Sequence, residues 1–152
     1  MALLAGCGGS GGVVMPTTTP TTTATPTATP SSSTIVGLAN AYVNSLSTAQ
    51  RTATVVANTA ANAARWSNLP GTPSSDGTNR LRNGVSYSTL NATQKAAWTN
   101  LVRVALGTTA YNQFSQIRAA DTYLGTLNSG YNGDYQYVAF VGTPSTTSGW
   151  LL

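Results

Sequence analysis

Apolar positions recur at helical spacing from Ile35 onward. Ile35, Leu38, Ala39, Tyr42 and Leu46 fall at i, i+3, i+4, i+7 and i+11, which marks one face of an amphipathic helix. Ser47-Thr48-Ala49-Gln50 has the form of a capping box, Ser47 as N-cap and Gln50 reaching back to it, so a second helix is expected to begin there. Its inward stripe, Ala49, Ala53, Val56, Ala57, Ala60 and Ala64, is nearly all small side chains that would admit a partner helix closely. The phrase Leu46-Ser47-Thr48-Ala49-Gln50-Arg51-Thr52-Ala53 is echoed by Leu90-Asn91-Ala92-Thr93-Gln94-Lys95-Ala96-Ala97. An old duplication accounts for this, and so do two capping boxes that solve one problem independently. A third helix is expected from Ala92 to about Leu106, with Ala97, Leu101, Val104 and Ala105 inward and Gly107 at its end. Thr108 or Thr109 would then cap a fourth, running to about Asn128 with Phe114, Ile117, Ala120, Leu124 and Leu127 on one face.

After turn residues from Asn128 to Gly133 the period changes. Asp134-Tyr135-Gln136-Tyr137-Val138-Ala139-Phe140-Val141-Gly142 is aromatic and β-branched and reads as a strand. Thr143 to Gly149 turns the chain, and Trp150-Leu151-Leu152 begins a second strand. The fold class is therefore α+β: about four helices in a mainly helical N-terminal part, followed by the start of a β-sheet. That sheet is expected to be cut short at Leu152, leaving Val138, Phe140 and Trp150 without partners, since one and a half strands are not stable alone.

The front of the chain has a different character. Leu4-Ala5-Gly6-Cys7 resembles the lipobox of bacterial lipoproteins, in which the Cys carries the lipid, so Cys7 is the expected attachment point. Met1 to Leu3 leave no basic n-region and too few apolar residues for an h-region, as if residues 1–7 were the remnant of a longer signal. Residues 8–33 are low in complexity: Gly8-Gly9-Ser10-Gly11-Gly12, then Thr/Pro-rich triplets with prolines at 16, 20, 26 and 30. Such a stretch cannot build a core; it makes a tether of about 80 Å when extended and about 30 Å as a coil. A phosphate-binding reading of its Gly run lacks both the following Lys-Ser/Thr and a preceding strand. The folded domain is expected over residues 34–152.

Composition supports an address outside the cytoplasm. Charged residues are 7% of the chain, with three Asp and no Glu, while hydroxyl and amide side chains abound, a pattern suited to an extracytoplasmic surface. One Cys excludes an internal disulfide. The net charge of +4 is spread along the chain and forms no nucleic-acid patch. No run of 18 apolar residues spans a membrane.

Catalytic chemistry has little to work with. The chain has no His, so Ser-His-Asp and Cys-His arrangements and ordinary zinc sites are excluded within it, and neither a cofactor nor a metal is called for. Asp121 is expected to pair with Arg118 one helical turn away, Asp134 to cap the turn into its strand, and Gln94 and Lys95 to serve as a cap and a solvated charge. Asn91-Ala92-Thr93 has the form of a glycosylation acceptor. Arg65, Trp66, Arg80, Arg82 and Trp150 are the candidate ligand-binding residues. Tryptophan beside arginine offers a stacking surface for sugars or aromatic ligands, and arginine holds carboxylates bidentately. Their structural use is the competing account: Trp66 plugging the end of a helix pair, and arginines covering helix C-termini.

Arg65-Trp66, Pro70, Arg82-x-Gly84, Leu90, Gln94-Lys95, Tyr111, Asp134-Tyr135, Phe140-x-Gly142-x-Pro144-Ser145 and Trp150 occur in an order that resembles the bacterial DUF3500 family. Members of that family are about twice as long and carry a Gly-His-His motif after the Trp, so the resemblance implies that residues 34–152 are an N-terminal half. The reading that follows is a lipid-anchored cell-envelope protein with a binding or structural role and no catalysis in this chain. Its partners would be the membrane, through Cys7, and a cell-wall glycan or other small ligand. The alternative is the N-terminal half of a hydrolase-like or metal-dependent enzyme whose histidines lie beyond Leu152.

Overall fold

The computed structural model describes residues 30–65 and 82–152. Cys7, the tether up to residue 29, Trp66 and Arg80 lie outside them. In chain order the elements are α1 (Ser32–Ser45), α2 (Thr48–Thr54), β1 (Val55–Val56), α3 (Ala60–Ala63), β2 (Val85–Ser86), a 3-10 turn (Tyr87–Thr89), α4 (Ala92–Leu127), β3 (Tyr137–Val138) and β4 (Phe140–Val141). Mainly helical α+β is thus the observed class.

Helix α1 forms where the apolar spacing requires it. Ser31 caps it by accepting from the Thr34 backbone N–H, and Ala39, Tyr42 and Leu46 are buried with Ile35 and Leu38 packed beside them. Its partner is the first arm of α4, whose Leu101 is fully buried and whose Ala97 and Trp98 pack on the same core. Gly107 interrupts α4 at φ 70°, ψ 174°, where no L side chain sits comfortably, so the two expected helices are two arms about one residue.

Both capping boxes are present, and they face each other. In the first, Ser47 N–H donates to Gln50 Oε1 (3.0 Å) and Gln50 N–H to Ser47 Oγ (3.3 Å). In the second, Asn91 N–H donates to Gln94 Oε1 and Gln94 N–H to Asn91 Oδ1, both at 2.9 Å. Gln94 is 5% exposed, and its Nε2 then donates to Gln50 Oε1 (2.8 Å) and to the Ser45 carbonyl at the end of α1 (3.1 Å). Every polar atom of that amide is used, which is what burial of an amide demands.

The second helix departs from expectation. It stops at Thr54, because the β-branched pair Val55-Val56 leaves the helix to form β1, and the chain re-enters a helix only after Thr59 caps α3. Ala49, Ala53, Ala57, Ala60 and Ala64 are exposed, and the buried residue is Thr54. Strand β1 pairs in parallel with β4, Val55 opposite Phe140 and Val56 opposite Val141, while β2 pairs antiparallel with β3. The expected second strand makes a single antiparallel bridge, Leu151 to Val141. Gly84 holds φ 92°, and a Cβ there would stand 1.9 Å from the Val138 carbonyl oxygen, so only glycine lets β2 meet β3 at this point.

Val138, Phe140 and Trp150 also differ from expectation, because each has partners. Val138 and Phe140 are buried; the Phe140 ring lies 6.1 Å from Tyr42 and 5.6 Å from Trp150, whose indole N–H donates to the Ser145 carbonyl (3.0 Å). Val85 of β2 and Val55 of β1 supply their strand partners, and α1 and the 143–149 turn cover them. Tyr42 Oη is buried with no hydrogen-bond partner among the described residues; burial, reinforced by Tyr87, pushes its ionisation well above the usual tyrosine range.

The second arm of α4 shows a different face from the expected one. Ile117 and Leu127 are exposed, and the inward residues are Phe114, Arg118 and Gly125. A Cβ on Gly125 would meet the Tyr131 carbonyl oxygen at 2.3 Å, and one on Gly133 the Arg118 carbonyl oxygen at 2.4 Å, so glycine on both sides brings the 130–134 turn onto the helix. Arg118 does not pair with Asp121. It donates to the Gly133 carbonyl (Nε, 3.0 Å) and to Asp134 Oδ1, while Lys95 Nζ donates to Asp134 Oδ2 (2.8 Å). Lys95 is accordingly not a solvated charge, and both cations lie over the Tyr87 ring, at 4.8 Å and 4.3 Å. Burial by itself raises the Asp134 pKa, but the Lys95 and Arg118 hydrogen bonds and charges outweigh it and hold the carboxyl below its usual value.

Two outcomes follow from these contacts. Gln94→Ala removes a cap and leaves the Ser45 carbonyl unpaired, so urea unfolding should show a loss of about 2 kcal/mol. Asp134 has a depressed pKa in the fold, so its contribution is present above the ordinary aspartate range and is lost as pH falls below about 4. Because the side chain is 39% exposed, that contribution is about 1 kcal/mol or less. Asp134→Asn should therefore lower stability slightly at pH 7 and flatten the acid limb of the stability curve; an unchanged acid limb would count against this role.

Candidate functional site

The folded part contains an open cavity of about 720 Å³, in the range of small-molecule sites. Its walls come from five separated stretches. The end of α3 contributes Asn62 and Arg65, and the entry to β2 contributes Arg82 and Asn83. These two stretches are tied where Asn83 Nδ2 donates to the Asn62 carbonyl (2.7 Å), an oxygen that also accepts the Arg65 backbone N–H (3.1 Å). Helix α4 supplies Trp98, Val102, Ala105 and Leu106 from its first arm and Phe114 and Asp121 from its second. The turn and strand from Gly130 to Ala139 form a third wall, with Tyr131, Tyr135 and Tyr137, and Leu151 and Leu152 close the fourth.

The chemistry of these walls is divided. Aliphatic and aromatic groups make up most of the surface, while Arg65, Arg82 and Asp121 are its charged side chains among the described residues. The Arg82 guanidinium lies 5.4 Å from the Tyr137 ring centroid, which fixes its plane and keeps it facing the strand wall. Arg65 is exposed at the lining. Asp121, relieved of Arg118, is half-buried at the cavity and has no ion pair or side-chain hydrogen bond among the described residues. Gln136 and Asn132 add primary amides; Asn132 Oδ1 accepts from the Asp134 N–H (2.8 Å), leaving its NH₂ group for other partners.

Of the five residues singled out from the sequence, Arg65 and Arg82 meet at this cavity. Trp150 does not line it; its ring packs on Phe140 and its indole nitrogen is bonded to the 143–149 turn, so its use is structural. Trp66 and Arg80 fall outside the described residues. Sequence reasoning missed Trp98, Phe114, Asp121 and the three tyrosines. The available signal was Tyr131-x-x-x-Tyr135-Gln136-Tyr137, a density of amphipathic aromatics unusual for a strand that only fills a core.

Chemically, these walls offer guanidinium groups that complement an anion, ring faces and aliphatic groups that complement an apolar body, and amides that donate and accept hydrogen bonds. Among the described residues no three of His, Cys, Asp and Glu come together as a metal-ligand set, and no helix is long and apolar enough to cross a membrane.

No curated protein and no solved structure matches this sequence. A family model does, over residues 28–152, under the description "Protein of unknown function (DUF3500)". The match takes in every described element, both capping boxes and the cavity, and the chain belongs to the DUF3500 family.

Proposed function

We propose that this is a lipid-anchored protein of the cell envelope whose domain holds a small carboxylate-bearing ligand, and that this chain binds without catalysing. The observation that carries the binding role is that Arg65 and Arg82, separated by a polar loop in sequence, reach one apolar-walled cavity beside the Asn62–Asn83 hydrogen bond. A guanidinium pair set against rings and aliphatic walls suits a carboxylate on an apolar body, since charge-assisted bonds gain strength where water is partly excluded. The anchoring role is supported by Leu4-Ala5-Gly6-Cys7 followed by a Gly- and Thr/Pro-rich tether, which would hold the domain off a lipid surface.

The two roles have separate tests. Titration calorimetry with 3-phenylpropanoate, using 3-phenylpropan-1-ol as the uncharged control, should give binding of the acid at least about tenfold tighter than that of the alcohol. Arg65→Ala, which removes an exposed side chain, should abolish that preference while leaving the melting temperature unchanged; equal affinity for acid and alcohol would overturn the assignment. For the anchor, cells expressing Cys7→Ala should release the protein from the membrane fraction, and retention there would sink the lipid claim.

A further inference from the structure

Asp121 is the charged side chain of the cavity that the carboxylate reading leaves without a task. Its expected partner is committed elsewhere, because Arg118 is held by Asp134 and by the Gly133 carbonyl. A carboxylate at an apolar-walled cavity attracts a cation, because opposite charges interact more strongly where water is partly excluded. The cavity therefore presents cation-binding and anion-binding groups on the same apolar-walled space.

Their placement sets the kind of molecule that meets both. Asp121 shares a helix face with Gly125, which backs onto Tyr131, so the carboxylate belongs to the end of the cavity formed by the 130–134 turn. Arg82 lies over Tyr137, further along the same wall, with Arg65 beside it through the Asn62–Asn83 link. From Asn132 to Tyr137 the chain spans at most about 17 Å, and less here because Tyr135 N–H turns back to the Asn132 carbonyl. Between the two ends stands Gln136, whose primary amide makes no hydrogen bond within the described residues and offers one donor face and one acceptor, the complement of a peptide group.

We propose that the cavity takes a short apolar peptide with free ends, its carboxylate on Arg65 and Arg82 and its ammonium on Asp121. A free amino acid carries both charges about one carbon, whereas a peptide of two or three apolar residues separates them along the wall, and a cavity of about 720 Å³ has room for its side chains. A sugar acid fits less well, since the aliphatic walls from Val102, Ala105, Leu106, Leu151 and Leu152 give its hydroxyl groups no partners.

The inference rests on the carboxylate reading, and the experiment separates the two. Calorimetry on the full chain would compare L-leucyl-L-phenylalanine with its N-acetyl derivative, with free L-phenylalanine and with 3-phenylpropanoate. The free dipeptide should bind about tenfold tighter than the acetylated one, and tighter than phenylalanine. Asp121→Asn should erase the advantage of the free amine without changing affinity for the acetylated dipeptide, and Arg65→Ala should weaken both. Unchanged melting of Asp121→Asn would establish that the loss is not one of folding. Equal binding of the free and acetylated dipeptides would overturn the peptide inference while the carboxylate reading stands, as would binding of 3-phenylpropanoate with no binding of the dipeptide, or phenylalanine binding as tightly as the dipeptide. Failure of every acid to bind would remove the underlying reading as well.

Discussion

The side-chain amide of Gln94 is the point on which the domain closes. It completes the cap of the longest helix and, from the other end of the same group, holds the carbonyl that ends α1 and the side chain that caps α2. Three helix termini with unsatisfied backbone groups are thereby brought within one hydrogen-bonded cluster. Because Gln94 is nearly fully buried, none of those bonds is readily exchanged for water, and α1 is held against the first arm of α4 at one angle. The aromatic core of Tyr42, Trp98, Phe140 and Trp150 then fills the space that this angle leaves.

A second fixed point lies on the far side of α4. Lys95 and Arg118, on opposite sides of the Gly107 break, share one carboxylate, Asp134, and one ring, Tyr87. The two arms are thus joined through a residue that belongs to neither. Because Asp134 also opens the segment leading to Tyr137, the pair of cations sets where the tyrosine wall of the cavity stands. The route from charge pairing to binding surface is short: cation to carboxylate, carboxylate to turn, turn to wall.

How much of this the sequence disclosed depended on whether the interaction was local. Both capping boxes, the face of α1 and the break at Gly107 were legible because each rests on residues within one or two turns. The end of α2 at Thr54 was not, because the alanine stripe spoke for a longer helix and the competing signal, Val55-Val56, wins only when Phe140 and Val141 are present to pair with it. Asp134 was read as a local cap although its partners lie on another element, and the outward turn of Ile117 and Leu127 follows from glycines at 125 and 133 that periodicity does not weigh. Arg65 and Arg82 were picked out by chemistry alone. Their common cavity could not be, since it is assembled from five stretches, and Trp150 stood out for its size yet serves the core.

The parallel pairing of β1 with β4 has a kinetic side. Val55 must find Phe140 across more than half of the described range, so the contact that ends α2 is a non-local one that forms only after its distant partner has been made. Until that moment the stretch after Ser47 is free to remain helical along its alanines, and the β-branched pair at its end has nothing to leave the helix for. The native break in that helix is therefore a product of topology, set by a strand that lies far along the chain and not by the residues of the helix itself.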